Sequence, residues 1–163
     1  MSNQVGKLEW ISEFVVKADL TGELTLSEEV EIGDERLTAE VISIEPGSAT
    51  IQVYEDTGGL KAGAPVFRTG HPLSVTLGPG LLGTVFDGIQ RPLQTLKERT
   101  GIYIARGVKV APLNTKRQWS FEPRAEKDSE VEPGTVLGVV QETPLIEHRI
   151  LVPPGLRGQD RKS

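Results

Sequence analysis

Closely spaced turn signals divide the first 77 residues into short apolar runs, and this spacing restricts the fold more than any other feature of the chain. Gly33-Asp34, Glu45–Ser48, Asp56–Gly59 and Gly63–Pro65 all combine residues that favour tight turns. Between them apolar residues recur at every second position, which is the period of a half-buried β-strand. The pattern predicts about six short strands, and we expect them to close into a barrel over residues 1–77 because closure removes exposed strand edges.

The same alternation predicts which aromatic side chains are buried. Leu8, Trp10 and Phe14 occupy alternate positions with Val16 and Ala18, so we expect all five to face the barrel core. Trp119 and Phe121 alternate in the same way later in the chain, and core packing is again preferred to ligand stacking. The strand segments expected in the barrel are Leu8–Ala18, Val30–Ile32, Leu37–Val41, Ala49–Val53, Val66–Thr69 and Leu73–Leu77.

One helix is predicted, over Arg91–Arg99. Pro92 suits the first helical turn, where its missing N–H is not needed, and Leu93 and Leu96 lie three apart on one face. Gly101 supplies a left-handed stop at the C-terminal end. Asp87-Gly88 is expected to form a tight turn ahead of this helix.

A second β-rich region is predicted after the helix. It contains a run of mixed charges at 124–132, which we interpret as a solvated loop. The polar residues at the end of the chain are expected to fray. The strand segments expected in this region are Ile102–Ile104, Val108–Ala111, Trp119–Phe121, Val136–Val140 and Ile146–Val152.

Composition excludes several classes of function. The chain has 163 residues, a formal net charge of −5 and 5% aromatic residues, so it lacks the basic and stacking side chains of a nucleic-acid-binding barrel. It contains no cysteine, so disulfides and thiolate metal sites are absent. No apolar run approaches the length of a transmembrane helix, and no direct insertion into a membrane is expected.

No residue is predicted to be catalytic, to bind a cofactor or to bind a metal. The only dense glycine cluster, Gly78-Pro79-Gly80 with Gly83, is not followed by the Lys-Ser or Lys-Thr of a phosphate-binding loop, and Pro79 removes a donor. We interpret it as the connection between two β units, in which the glycines and the proline set the path of the backbone. His71 and His148 stand 77 residues apart without neighbouring ligands, which does not indicate a metal site.

Acidic pairs and serines give no stronger signal. Glu28-Glu29 and Glu55-Asp56 fall at apparent turns or strand ends, where solvated carboxylates are more common than an acid/base pair. The chain has no G-x-S-x-G motif of a nucleophilic serine.

Several longer runs resemble a single family. Leu77–Gly83 (LGPGLLG) followed by Phe86–Leu93 (FDGIQRPL) is similar to the junction after the N-terminal barrel in the catalytic A subunit of V/A-type rotary ATPases. Gly101–Ile104 with Arg106-Gly107, and later Ile150–Pro154, resemble the segment that the A subunit carries but the B subunit lacks. The resemblance covers nearly the whole chain. The residues of these motifs are closer to those of prokaryotic A-type complexes than to those of eukaryotic vacuolar ones.

The resemblance implies a mainly β chain with four parts. These are an N-terminal six-stranded β-barrel at 1–77, a connector with one short helix at 78–106, a partial inserted β domain at 107–158 and a flexible tail at 159–163.

The resemblance also implies a function. The chain is expected to be the N-terminal structural and assembly portion of a subunit whose machine couples ATP hydrolysis or synthesis to H⁺ or Na⁺ translocation. Its expected partners are the B subunit, other A subunits of the head ring and peripheral-stalk subunits, in the cytoplasm at the membrane periphery. The full-length family member uses ATP and Mg²⁺, but the nucleotide-binding domain is missing from these 163 residues. We therefore expect a truncated subunit with no cofactor and no ATPase activity of its own.

Two alternatives remain open. Glu130–Val140 is similar to half of a biotinyl- or lipoyl-type hybrid barrel, although the lysine that such carriers modify is missing from the expected hairpin tip. In this first alternative, the chain is a free-standing binding or carrier-like module. A truncated paralogue that regulates assembly is the other alternative.

Overall fold

A computed structural model describes residues 3–159, and their contacts divide the chain into two compact units. The first unit contains the residues up to Val75 together with Phe86–Val110, and the second contains Thr76–Val85 and the residues from Ala111 onward. Of the predicted tail at 159–163, all but Gln159 lies outside the described residues. No helix in the described part of the chain is long and apolar enough to cross a membrane.

The first unit contains a closed six-stranded antiparallel barrel, as the turn spacing predicted. The strands follow the order β1-β2-β5-β4-β3-β6 around the barrel. They are β1 (Gln4–Ser12), β2 (Val15–Leu20), β3 (Glu28–Ile32), β4 (Leu37–Glu45), β5 (Ser48–Val53) and β6 (Pro65–Pro72). The predicted strand at Leu73–Leu77 is wrong, because β6 already pairs with both β1 and β3 and leaves no open edge for another strand.

The barrel core is built from the alternate apolar residues of these strands. The hairpin between β4 and β5 reverses at Pro46-Gly47, where Gly47 has φ +79, a conformation that glycine adopts without strain. The fully buried side chains include Val16, Val30, Ile32, Leu37, Val41, Ile51 and Val66. We expect this core to supply most of the stability of the first unit, because buried apolar area is the main favourable term in folding.

Trp10 and Phe14 are not in the core, and the prediction that they are buried is wrong. The pairing of β1 with β2 shifts between Leu8 and Trp10, so a β-bulge turns Trp10 outward. Trp10 is 54% exposed, and Phe14, in the turn between the two strands, is 57% exposed. The extra residue in β1 therefore turns Trp10 to the opposite face, whereas Val16 and Ala18 in β2 are buried as predicted.

The predicted helix is present as α1 (Leu93–Thr100), which begins two residues later than expected. Pro92 precedes the first turn in an extended conformation, with ψ 117°, and Gly101 ends the helix with φ +79. Leu96 is its buried residue. The segment after the helix does not form the strands predicted at Ile102–Ile104 and Val108–Ala111. The closed barrel offers no edge with which these apolar residues can pair.

The second unit contains a three-stranded antiparallel sheet in the order β10-β9-β7 and a two-stranded sheet of β11 and β8. The strands are β7 (Phe121–Pro123), β8 (Glu130–Val131), β9 (Val136–Thr143), β10 (Ile146–Leu151) and β11 (Gly158–Gln159). The predicted strand at Val136–Val140 is confirmed, and that at Ile146–Val152 is confirmed as far as Leu151. The strand expected at Trp119–Phe121 begins only at Phe121.

The aromatic residues of the second unit are also less buried than predicted. Phe121 is 47% exposed, so the prediction of core packing is wrong for it. Trp119 is half-buried, and the guanidinium carbon of Arg117 lies 3.9 Å from the centre of its ring. The mixed-charge run at 124–132 is mostly exposed, as expected.

Candidate functional site

Three glutamates are the most distinctive polar features of the structure, because each is buried and surrounded by hydrogen-bond donors. Glu28 and Glu55 are 2% and 6% exposed, so the prediction that they are solvated is wrong. The side chain of Glu142 is 3% exposed. Burying a carboxylate costs folding free energy unless hydrogen-bond donors satisfy it. The donors around each glutamate therefore identify the segments that it holds together.

Glu28 connects the start of β3 to β6. Its carboxylate accepts hydrogen bonds from the backbone N–H and the hydroxyl of Thr25, at 3.1 and 3.0 Å, and from the backbone N–H of Gly70, at 3.0 Å. Arg68 Nε lies 3.2 Å from the same carboxylate. Burial alone raises the pKa of Glu28, but these partners outweigh it and hold the pKa below its ordinary value.

Glu55, just after β5, holds the segments before and after α1 to the barrel. One carboxylate oxygen accepts the backbone N–H of Thr38 on β4 at 3.2 Å. The other accepts Arg91 Nη1 at 2.7 Å and the backbone N–H of Gly107 at 2.8 Å. The same side chain therefore fastens residues on both sides of α1 to the barrel wall.

The predicted turn at Asp87-Gly88 is confirmed, and it positions Arg91. Asp87 Oδ1 accepts the backbone N–H groups of Ile89 and Arg91, at 3.1 and 2.8 Å, and Asp87 Oδ2 accepts Arg91 Nε at 2.7 Å. The Arg91 side chain is only 13% exposed. Burial alone lowers the pKa of Arg91, but Asp87 and Glu55 outweigh it and raise the pKa, so the guanidinium stays charged.

Residues 106–109 lie along the barrel as a strap held by ion pairs. Arg106 Nε is 2.6 Å from a carboxylate oxygen of Glu35, and Lys109 Nζ is 3.0 Å from Glu31. Gly107 has φ +71, and a Cβ added to it would lie 2.8 Å from the carbonyl oxygen of Glu35. Only glycine lets the strap approach the barrel this closely.

Glu142, in β9, accepts hydrogen bonds from the backbone of the glycine-rich segment. Its Oε1 accepts the backbone N–H of Gly80 at 2.7 Å and that of Leu82 at 3.0 Å. Its Oε2 lies 3.1 Å from His148 Nδ1. The N–H groups of this segment thus serve a carboxylate of the chain itself, a contact that no sequence motif indicated.

The lowered pKa of Glu142 predicts that the stability of the second unit depends on pH. Burial alone raises this pKa, but the N–H groups of Leu82 and Gly80 and the contact with His148 outweigh it, so the pKa lies below the usual 4.5. A folded-state pKa below the unfolded one gives stability that is present above about pH 4.5 and is lost as the pH falls through the folded value.

We therefore expect the Glu142→Gln variant to lose less stability on acidification than the unsubstituted chain. The free energy of unfolding is measured in urea at about pH 7 and about pH 3.5, on either side of the unfolded pKa. Trp119 fluorescence reports on the second unit in a Trp10→Phe background. Glu126→Gln, at an exposed position, is the control and retains the full pH dependence. Equal pH dependence for both variants contradicts the assignment.

The buried polar groups are paired within the chain. In residues 3–159, every buried side-chain nitrogen or oxygen has a hydrogen-bond partner. Tyr54, beside Glu55, donates to Glu40, and this hydrogen bond with burial raises the pKa of Tyr54 to about 12. Glu55 and Glu142 each have three hydrogen-bond partners within the chain, and the phenol of Tyr54 is held by a carboxylate.

Each histidine has its own set of neighbours. His71 Nδ1 lies 3.1 Å from the carbonyl oxygen of Pro72 and 3.8 Å from Glu29, and His148 contacts Glu142 in the other unit. Across the described range, no three His, Cys, Asp or Glu side chains come together as metal ligands.

Comparison with known proteins agrees with the two β regions. Residues 14–70 match the β-barrel domain of the ATP synthase alpha/beta family, and residues 110–161 match the barrel-sandwich domain of ATP synthase alpha/beta subunits. The chain is 50% identical over 154 residues to the A subunit of the A-type ATP synthase of Saccharolobus solfataricus. It is 47% identical over 159 residues to V-type ATP synthase alpha chain 1 of Clostridium tetani.

These matches cover most of this chain but a small part of each relative. They span 94% of the chain and 26% of the Saccharolobus protein, and 98% of the chain and 27% of the Clostridium protein. The matched part is the N-terminal portion of the relatives. The chain therefore belongs to the ATP synthase alpha/beta family, of which it carries the β-barrel domain and the barrel-sandwich domain.

Proposed function

We propose that this chain is a structural and assembly module of the A subunit of a rotary ATPase. The observation that carries the proposal is that nearly the whole of this chain matches a part of relatives named as the A subunit or the alpha chain of such complexes. The identities are 50% and 47%. The buried carboxylates support it, because Glu55 and Glu142 hold backbone segments in place.

In this proposal the barrel joins the barrels of B subunits and of other A subunits in a head ring, and the second unit meets a peripheral stalk. The complex lies in the cytoplasm at the membrane periphery. ATP and Mg²⁺ belong to the longer relatives, since the 163 residues contain no G-x-x-x-x-G-K-[ST] sequence. We expect calorimetry to show no saturable ATP binding in the micromolar range, and such binding would overturn the assembly-only role.

Partner binding is tested by co-purification of the tagged chain with the B subunit from the same source. Trp10 and Phe14 are large apolar side chains that are more than half exposed on the barrel, so they are candidate contacts. We expect the unsubstituted chain to co-elute with the B subunit, whereas the Trp10→Ser, Phe14→Ser double variant should lose most of this binding. Leu145→Ser removes a side chain that is 94% exposed in the second unit, and it serves as the control. Failure of the unsubstituted chain to bind the B subunit overturns the proposal.

A further inference from the structure

Strand β10 is an open edge of its sheet. It pairs only with β9 among the described residues, since the order of the sheet is β10-β9-β7. An open edge presents a row of N–H and C=O groups that favours pairing with another strand. Apolar side chains around this edge are also exposed, with Leu145 at 94%, Ile146 at 45% and Leu151 at 49%.

The sequence of this edge is complementary to itself when it is read in reverse. Residues 145–151 are Leu-Ile-Glu-His-Arg-Ile-Leu, with His148 at the centre. An antiparallel copy centred on His148 places leucine opposite leucine, isoleucine opposite isoleucine and Glu147 opposite Arg149. A parallel copy in register places Glu147 opposite Glu147 and Arg149 opposite Arg149, and like charges directly opposite are destabilising.

The geometry of β10 permits this pairing. The two irregularities in its register with β9 both arise because β9 carries an extra residue, Glu142 in one and Leu137 in the other. β10 itself therefore alternates without interruption, so Glu147 and Arg149 lie on one face and His148 on the other. Burial agrees, since His148 is half-buried while Glu147 and Arg149 are exposed.

In the described part of the chain, one ion pair competes for these two charges. Arg124 Nη2 lies 3.7 Å from Glu147, and both side chains are about half exposed, at 56% and 42%. Such solvated pairs contribute little to stability, so Glu147 can turn to a better partner at low cost. Arg149 forms no ion pair with any residue between 3 and 159.

We propose that β10 binds β10 of a second copy of this chain as an antiparallel strand pair centred on His148. The two three-stranded sheets then form one continuous six-stranded sheet across a two-fold axis. Among residues 3–159, β10 has one unpaired edge, and the pairing uses it on both copies, so the assembly closes at the dimer. A single strand pair buries less area than a standard protein interface, and the dimer is therefore a weak one.

Charge exchange tests the pairing and its register. Sedimentation is followed from about 10 µM to about 1 mM chain, a range suited to weak complexes. The unsubstituted chain is expected to dimerise as concentration rises. Glu147→Arg alone or Arg149→Glu alone places like charges opposite each other twice per dimer and lowers the affinity about tenfold or more. The double variant, and an equimolar mixture of the two single variants, restore opposite charges and recover the dimer.

A cross-link provides an independent readout. The chain contains no cysteine, so a disulfide in His148→Cys can form only between two copies. Opposite residues in an antiparallel pair have Cα atoms about 4.5–5.5 Å apart, within the range that a disulfide spans. We expect His148→Cys to oxidise to a dimer and Glu126→Cys, in the exposed loop, to stay largely monomeric under the same conditions.

Several outcomes overturn the inference. They are a chain that stays monomeric at about 1 mM, a dimer unaffected by either charge reversal, growth beyond the dimer, or cross-linking of Glu126→Cys as fast as His148→Cys. Glu126→Arg changes the net charge as Glu147→Arg does but lies outside β10, and it should leave dimerisation unchanged. The charge variants should still co-elute with the B subunit through the barrel, so failure of this inference and failure of the proposed function are distinguishable.

Discussion

Replacing Ile51 by alanine is expected to destabilise the barrel by about 3 kcal/mol, because it removes a fully buried side chain and leaves a cavity. Ile51 lies on β5 and pairs with Val16 of β2 and Val41 of β4, so three strands border the cavity. A closed barrel cannot collapse onto this space without disturbing its hydrogen-bonded ladder. The free energy of unfolding is measured in urea, with Trp10 fluorescence as the probe of the barrel in a Trp119→Phe background.

Ile42→Ala is the matched control. Ile42 has the same side chain on the neighbouring strand β4, but it is 44% exposed at an irregularity between Val41 and Ser43. Its replacement should change the free energy of unfolding by about 0.5 kcal/mol or less. Similar losses for Ile51→Ala and Ile42→Ala would mean that the core does not lie inside this barrel.

The barrel was predictable from sequence because the residues that specify its turns and strands are close together in the chain. Turn residues such as Pro46-Gly47 reverse the chain whatever the rest does, and alternation marks the buried face between turns. The helix was predictable for the same reason, since Pro92 and Gly101 bound it. The bulge at Leu8 and Trp10 was not, because an extra residue in one strand shows only against its partner.

The buried carboxylates were not predictable, because their partners are distant in the sequence. Glu55 and Arg91 are 36 residues apart, and Glu142 and Gly80 are 62 apart. A glutamate next to a turn has the same local pattern whether it is solvated or buried. The one signal in the sequence was the run from Phe86 to Leu93, whose resemblance to one family marked the segment without assigning Asp87 and Arg91 their contacts.

Glu55→Gln is expected to cost about 3 kcal/mol in the first unit, near the lower end of the range for breaking a buried ion pair. The amide cannot accept from all three donors that the carboxylate satisfies, and Arg91 keeps only Asp87 as its acidic partner. Glu9→Gln, at an exposed position, removes the same charge and should have little effect. Urea unfolding followed by Trp10 fluorescence measures both variants.

The location of the loss distinguishes an anchor from a general stabiliser. Because Glu55 binds the N–H of Gly107 directly, its replacement should speed hydrogen exchange at Gly107 more than at Ile51 in the barrel wall. A double-mutant cycle with Arg91→Gln should give a coupling of about 1–3 kcal/mol, since the two side chains are in direct contact. Additive losses, or uniform acceleration of exchange across the barrel, would show that Glu55 does not anchor the segments before and after α1. Glu55→Gln should weaken binding of the B subunit only in proportion to the fraction of chain whose barrel is unfolded. Such a result would agree with Trp10 and Phe14, rather than Glu55, as the contact surface.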